Sequence, residues 1–103
     1  MAYNLIITNN ADSELDEIVR YIAEHLDNAK AAASFLDSVE SAYDRLTDNP
    51  HLYQLCDNPA LEKRDYRKVI IGNYVMIYRV DEERNSVYIL HFFYGRQDYF
   101  NLI

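Results

Sequence analysis

The fold is decided by residues 66–98, which read YRKVIIGNYVMIYRVDEERNSVYILHFFYGRQD. Two runs rich in β-branched and aromatic residues, 66–71 and 74–80, are separated only by Gly72-Asn73. This pair is typical of a β-hairpin, because glycine adopts positive φ without strain and asparagine tolerates it. A polar connection then leads into a long apolar run, 86–94. A strand that is apolar on both faces is typical of the covered interior of a sheet. The segment therefore predicts three consecutive antiparallel strands.

The residues before this segment predict one strand and two helices. Residues 3–8 are apolar and β-branched, as in a strand. From 11 to 26 the apolar residues recur at helical spacing, and acids occupy the opening turns, where a helix N-terminus favours negative charge. A second helical pattern over 32–46 stops before Pro50. The short break between the two patterns predicts an antiparallel helix hairpin.

The predicted order is β-α-α-β-β-β, an α+β fold in which the helix hairpin packs on one face of an antiparallel sheet. We expect the first strand to lie inside the sheet, because both its faces are apolar. Residues 51–65 are the least regular, and we expect a surface loop with one helical turn at 59–63. Residues 98–103 suit a short C-terminal turn or helix. One domain over residues 1–103 is the expectation for this length.

Charge is unevenly distributed along the chain. The net charge is −7, and residues 9–58 hold eleven acids against three bases, a balance of −8. Residues 59–103 hold seven bases and six acids, a balance of +1. Acidic surface repels nucleic acid, and a small basic patch attracts it. The balance excludes broad, sequence-independent nucleic-acid binding and leaves room for a focused anion-binding patch.

The cysteine and histidine content bears on location and on metals. Cys56 is the only cysteine, so no intramolecular disulfide can form, which fits a reducing cytoplasm. The first ten residues carry no base, and their apolar run is too short for a signal peptide or a spanning helix. His51 and Cys56 do not complete the three or four ligands that zinc takes. We expect a cytoplasmic protein with no membrane association, no metal and no cofactor.

The side chains on the open face of the sheet depend on the hairpin register, which the sequence leaves open. With a two-residue turn, Lys68 lies on the face of Arg79. With a three-residue loop, Arg67 takes that place, because a shift of one residue turns every side chain of a strand to the other face. The third strand adds His91 to the same face if the whole of residues 81–85 connects the strands. A small cationic and imidazole cluster is the sharpest chemical feature that the residues predict.

Several short motifs occur along the chain in a distinctive order. They are Arg67-x4-Gly72-Asn73-Tyr74-x3-Tyr78-Arg79-Val80, then Gly95-Arg96-Gln97-Asp98, and upstream Ala11, Leu15, Ile18 and Tyr21-Ile22. Their order and spacing resemble the RelE/ParE superfamily of toxins from bacterial type II toxin–antitoxin modules, over nearly the whole chain. The resemblance implies a compact cytoplasmic toxin of a plasmid-stabilisation module, which inhibits growth and is neutralised by a cognate antitoxin wrapped over its surface.

The superfamily holds two activities, and each gives these residues a different role. RelE-like members cut mRNA on the ribosome, with Lys and Arg residues and a terminal Tyr or His that stabilise charge and move a proton. Carried over to this chain, the catalytic set is Arg67, Arg79, His91, Arg96 and Tyr99. ParE-like members poison DNA gyrase by protein contact. The corresponding target-binding set is Arg67, Lys68, Arg79 and Arg96.

The resemblance to the nuclease branch is incomplete. Val75 stands where RelE-like nucleases often carry arginine, and Tyr94 stands where the superfamily often has histidine. The acidic composition also suits docking to ribosomal RNA poorly. These departures favour the ParE-like branch and leave the mRNA interferase as the alternative.

The resemblance also implies partners. They are a cognate antitoxin and, as target, either DNA gyrase or the ribosome with its mRNA. We expect the antitoxin to lay an extended or helical segment along apolar, Tyr-rich surface, with Leu36, Val39 and Tyr43 or the rim of the sheet in the contact. A toxin dimer, a heterotetramer with the antitoxin, and a non-toxic interaction module with the same fold all stay open.

Overall fold

The computed structural model describes residues 2–95. The elements are, in chain order, β1 (Asn4–Ile7), α1 (Asn9–Arg20), a π-helical turn (Tyr21–His25), α2 (Ala29–Asp48), α3 (Pro59–Lys63), β2 (Tyr66–Ile71), β3 (Tyr74–Asp81) and β4 (Ser86–Tyr94). The predicted α+β fold, with a helix hairpin followed by three strands, is confirmed, as is the helical turn within the 51–65 segment. The C-terminal turn or helix expected at 98–103 lies outside the described residues.

The sheet has the strand order β1-β4-β3-β2. Strands β2, β3 and β4 are antiparallel neighbours, and β4 lies inside the sheet, as its apolar sequence predicts. The expectation that β1 lies inside the sheet is wrong, because β1 is an edge strand that pairs in parallel with β4. Its apolar side chains are only partly covered, and Ile6 and Ile7 remain 38% and 40% exposed. Apolar composition alone therefore does not distinguish an edge strand from an inner one.

The first hairpin has the two-residue turn. Ile71 lies opposite Tyr74, and Gly72 adopts a φ of 60°, a conformation that favours glycine. This register places Lys68 on the face of Arg79 and turns Arg67 to the other face.

The second hairpin departs from the predicted register in two places. Asp81 belongs to β3 and pairs with Ser86, so the connection is one residue shorter than predicted. That change alone would move His91 to the other face of the sheet. A β-bulge then adds Leu90 as an extra residue, so that Ile77 pairs with His91. The two departures cancel, and His91 lies on the face of Arg79 as expected.

The two faces of the sheet are covered differently. The front face packs against α1, the π-helical turn and α2, and its core includes Val39, Leu46, Met76, Tyr78, Val87 and Ile89, all essentially buried. The back face is covered in part by the 51–65 segment. Here a second apolar cluster, the back cluster, consists of Cys56, Leu61, Val75, Ile77 and Phe93. Burial of apolar surface, at roughly 25 cal/mol per Å², stabilises both layers.

Thr8 joins β1 to α1. Its hydroxyl oxygen caps the helix by accepting a hydrogen bond from the Ala11 amide at 3.2 Å. The same hydroxyl donates to the Ile89 carbonyl at 2.8 Å. Among residues 2–95, none of the helices has the length and apolar character that crossing a bilayer requires.

Candidate functional site

The exposed part of the back face carries a row of aromatic and cationic side chains. Tyr66, Arg79 and Tyr88 lie directly opposite one another on β2, β3 and β4, and we call these three residues the Arg79 row. The Arg79 guanidinium lies 5.1 Å from the centre of the Tyr88 ring. The Arg64 guanidinium lies 5.9 Å from the centre of the Tyr66 ring. Both distances fall in the range of cation–π attraction.

Lys68 shares the back face with Arg79 but binds a residue of the 51–65 segment. It lies opposite Ile77, one diagonal step from Arg79 in the β2–β3 ladder. Its Nζ donates to Asp57 Oδ2 at 3.3 Å, and its side chain is only 15% exposed. The ammonium charge is therefore directed to the 51–65 segment, while the Arg79 guanidinium is directed to β4.

Arg67 lies on the front side of β2, opposite Tyr78. Its Nη1 donates to the Tyr53 carbonyl at 2.6 Å, which ties the 51–65 segment to the sheet. Tyr78 ties down the residue that precedes this segment, because its hydroxyl donates to the Pro50 carbonyl at 2.7 Å. Burial raises the pKa of Tyr78 to about 12. The sheet therefore separates the guanidinium of Arg67 from that of Arg79.

Another part of the back face is apolar. Val75, Ile77 and Phe93 are 0–7% exposed, beneath Cys56 and Leu61 of the 51–65 segment. Burial raises the pKa of the Cys56 thiol, and the nearby Lys68 ammonium opposes that rise. This part of the face is a small core and not a polar cavity. Val75, which stands where the resemblance sets an arginine, is one of its members.

His91 is held by a contact that the sequence does not reveal. Its Nδ1 lies 3.1 Å from Glu14 Oε1, and its ring stacks on Phe93 at 5.1 Å between centroids. Glu14 Oε1 also accepts a hydrogen bond from the Phe92 amide at 3.3 Å. β1 pairs with β4 only as far as Ile89, so Glu14 of α1 caps the edge of β4 beyond that point. This arrangement gives His91 a structural partner.

A cleft lies between the end of the first helix and the β2–β3 turn. We call it the aromatic cleft, and its volume is about 770 Å³. Its lining residues are Glu14, Glu17, Ile18, Tyr21, Leu26, Asn73, Tyr74, Phe92, Phe93 and Tyr94. At its base the Tyr74 ring contacts Phe35 at 5.1 Å and Tyr94 at 5.7 Å between centroids. The sequence pattern does not predict this cleft, and the one local signal for it is the position of Tyr21 near the end of a helical pattern.

The residues expected to bind an antitoxin differ in accessibility. Val39 is 1% exposed and packs in the front core, whereas Leu36 and Tyr43 are partly buried. Of the three, only Leu36 and Tyr43 therefore offer surface to a partner. Burial raises the pKa of Tyr43 to about 12. Its hydroxyl is buried, and within residues 2–95 it has no hydrogen-bond partner. The role of these residues in antitoxin binding stays a prediction.

Two of the expected site residues, Arg96 and Tyr99, lie outside the described residues. Of the others, the structure brings Lys68, Arg79 and His91 to one face of the sheet and sets Arg67 on the opposite face. Within residues 2–95, no group of three His, Cys, Asp or Glu side chains lies together in a way that could hold a metal ion.

This α+β architecture is that of the RelE/ParE superfamily, and the family model narrows the assignment. The model that describes the ParE toxin of the type II toxin–antitoxin system parDE matches residues 5–99. The chain therefore belongs to the ParE toxin family. No curated protein sequence matches it significantly.

Solved structures of toxin–antitoxin systems share the fold. The RelBE2 complex of Mycobacterium tuberculosis is 21% identical over 91% of this chain and 99% of that chain, with a TM-score of 0.63. The chromosomal ParDE system of P. aeruginosa is 16% identical over 90% and 96%, with a TM-score of 0.69. The intact RelBE complex of E. coli is 17% identical over 93% and 100%, with a TM-score of 0.60. Both branches of the superfamily are thus among the structures similar to this chain.

Proposed function

We propose that this chain is the toxin of a type II toxin–antitoxin module, that it arrests growth in the cytoplasm by binding DNA gyrase, and that a cognate antitoxin neutralises it. Membership of the ParE toxin family supports the toxin role. One observation favours protein contact over RNA cleavage. The back cluster fills with apolar side chains the part of the sheet where the resemblance sets a catalytic arginine.

The placement of the cations supports the same choice. Cleavage of RNA needs several cations around one phosphate, together with an acid–base group. In the described part of the chain, Arg67 and Arg79 lie on opposite faces, and the Lys68 ammonium binds Asp57. These three cations do not converge on a common point. The sheet would separate a phosphate beside Arg79 on the back face from the Arg67 guanidinium.

The Arg79 row is the surface that we assign to the target. Arginine and tyrosine carry much of the binding energy at protein interfaces, because they combine apolar area with directional polar groups. Arg79 is half-buried between two tyrosines and is therefore already ordered. Ile6 of β1 lies opposite Tyr88 and extends the row with an apolar residue. We keep Lys68 and Arg96 as further target contacts, with Arg67 acting through the segment that it ties down.

A supercoiling assay with purified gyrase tests this proposal. The wild-type protein is expected to inhibit supercoiling, and Arg79→Ala is expected to weaken inhibition at least about tenfold, which corresponds to about 1.4 kcal/mol of lost contact energy. Arg84→Ala is the matched control. Arg84 is a cation of the β3–β4 turn that is 75% exposed and pairs with Asp81 at 3.8 Å, so its loss should leave inhibition unchanged.

Primer extension on transcripts, after expression of the protein alone, completes the test. Gyrase inhibition with intact transcripts supports the proposal. Cuts at codon positions in translated mRNA, with gyrase unaffected, would replace it with the RelE-like activity. Normal growth and supercoiling with intact transcripts would leave an interaction module with the toxin fold.

A further inference from the structure

The aromatic cleft carries acidic side chains along one of its walls. The helix that forms one wall contributes Glu14, Glu17 and Tyr21, three residues at a spacing that sets them on one helix face. The other wall and the base come from the aromatic side chains of β3 and β4. The cleft is therefore apolar at its base and acidic along one rim.

Neighbouring bases pair with only part of the acidic charge near the rim. Arg20 is the nearest cation along the helix, and its guanidinium is bound to Asp16 at 2.8 Å. Within residues 2–95, Glu17 and Glu24 form no ion pair. Both lie beside Tyr21 and His25 on the outer surface of the first helix, and of the two acids only Glu17 lines the aromatic cleft. Glu14 faces His91 and the Phe92 amide, and its side chain remains 27% exposed. The unpaired carboxylates leave a net negative charge near the rim, which attracts an approaching cation.

The π-helical turn sets apolar surface at the mouth of the cleft. The Leu26 amide donates to the Tyr21 carbonyl at 3.1 Å, which closes the wider turn. Tyr21 and Leu26 remain 48% and 55% exposed, while Ile22 between them is buried. Single π-helical turns occur often at functional sites, because they redirect side chains at a cost in helix stability. Here the redirected side chains line the cleft.

We propose that the aromatic cleft binds a basic, apolar segment of the antitoxin, with an apolar side chain in the cleft and an arginine or lysine on the acidic rim. The proposal rests on the antitoxin partner proposed above and specifies the chemistry of its binding segment. Arginine suits this rim in two ways, since it pairs with carboxylates and stacks on aromatic side chains of the kind that line the cleft. An acidic segment would be repelled, as would the phosphates of a nucleic acid.

Binding of designed peptides to the full chain tests the proposal. The probe is a fluorescein-labelled helical peptide with leucine and arginine at i and i+4 spacing, and its matched control has every arginine replaced by glutamate. The leucine–arginine peptide is expected to bind at least about tenfold more tightly, and its affinity should fall as salt screens the rim. Amide chemical-shift changes should map to Tyr21, Leu26 and Tyr74.

Variants locate the contact. Glu17→Lys should weaken binding of the leucine–arginine peptide at least about tenfold and improve binding of the glutamate peptide. Asp44→Lys is the control, because Asp44 is an exposed acid of α2 that does not line the cleft. Equal affinity for both peptides, or equal loss in the two variants, would overturn the proposal. The proposal would also be overturned if a peptide of residues 96–103 outcompeted the leucine–arginine peptide and reversed its chemical-shift changes. Residues 96–103 of the chain itself would then be the occupant of the cleft.

The peptide and gyrase assays separate the two proposals. Gyrase inhibition without selective binding of the basic peptide removes the cleft assignment alone. Selective binding to the cleft by a protein that leaves growth and gyrase unaffected removes the toxin activity, while the chemistry of the cleft stands.

Discussion

The front and back faces of one sheet are stabilised in different ways. Two helices of regular apolar spacing cover the front face. The back face is held by a segment with one short helix, through a few bonds such as Cys56 amide to Tyr66 carbonyl at 2.8 Å and Lys68 amide to Gln54 carbonyl at 3.3 Å. The uncovered part of the back face displays the Arg79 row. We therefore expect the front face to contribute most of the stability, while the back face leaves more surface uncovered.

The most direct test of this difference between the two faces is a cavity in the front core. Ile89→Ala removes a fully buried side chain from the central strand, where α1 and the neighbouring strands leave little room to collapse. We expect a loss of about 2–5 kcal/mol in the free energy of unfolding, measured by urea denaturation. A loss below about 1 kcal/mol would show that the front core is loosely packed and would contradict this difference.

The matched change on the back face is Leu61→Ala. Leu61 is 3% exposed in the back cluster, but it belongs to a helix of only five residues that can shift to fill the cavity. We expect a loss near the low end of the range for such changes, about 2 kcal/mol, and smaller than that of Ile89→Ala. Leu52→Ala, at a site that is 53% exposed, is the control and should change stability by less than about 0.5 kcal/mol. Equal losses for Ile89→Ala and Leu61→Ala would remove the distinction.

A pH titration probes the front face through its tyrosines. The pKa values of Tyr43 and Tyr78 are raised to about 12 by burial, so each phenol stays protonated in the folded state at pH values where the unfolded chain ionises. Their contribution to stability is complete below about pH 10 and is lost as pH rises towards 12. We expect the free energy of unfolding to fall between pH 10 and pH 12. Denaturation curves recorded at a series of fixed pH values measure this fall.

Tyr43→Phe sharpens this prediction. The Tyr43 hydroxyl is buried without a partner within the described residues, so its removal should cost less than about 0.5 kcal/mol at neutral pH. The variant should lose less stability than the wild type between pH 10 and 12. A variant with an unchanged alkaline slope would show that Tyr43 ionises freely in the folded protein.

The features that the sequence predicted are those set by neighbouring residues. The helices are predicted by apolar residues at helical spacing and by the proline at position 50, and the first hairpin is predicted by the Gly72-Asn73 pair. Each of these signals spans only a few neighbouring residues. The edge position of β1 and the extra residue Leu90 depend on pairings between distant strands. No local sequence pattern predicts the edge position of β1 or the extra residue in β4. The register of β4 could therefore be predicted only for an assumed length of the connection before it.

The features of the candidate site also fall into those set by neighbouring residues and those set by contacts between distant residues. Arg79 and Lys68 could be set on one face as soon as a two-residue turn was assumed, because alternation along a strand is a local rule. The destination of the Arg67 guanidinium depends on the Tyr53 carbonyl in an irregular segment. The aromatic cleft needs the end of the first helix to lie beside the β2–β3 turn, more than forty positions away. Such proximity arises from packing and is absent from any single stretch of sequence.

The bond between Thr8 and Ile89 joins residues 81 positions apart. During synthesis, the first strand therefore has no partner in the sheet until residue 89 has left the ribosome. Until then, the helix hairpin of the nascent chain has its apolar stripe exposed, because pairing between distant strands forms late. Tyr88 completes the Arg79 row and Tyr94 lines the aromatic cleft, so a translation product that ends before these residues lacks both surfaces.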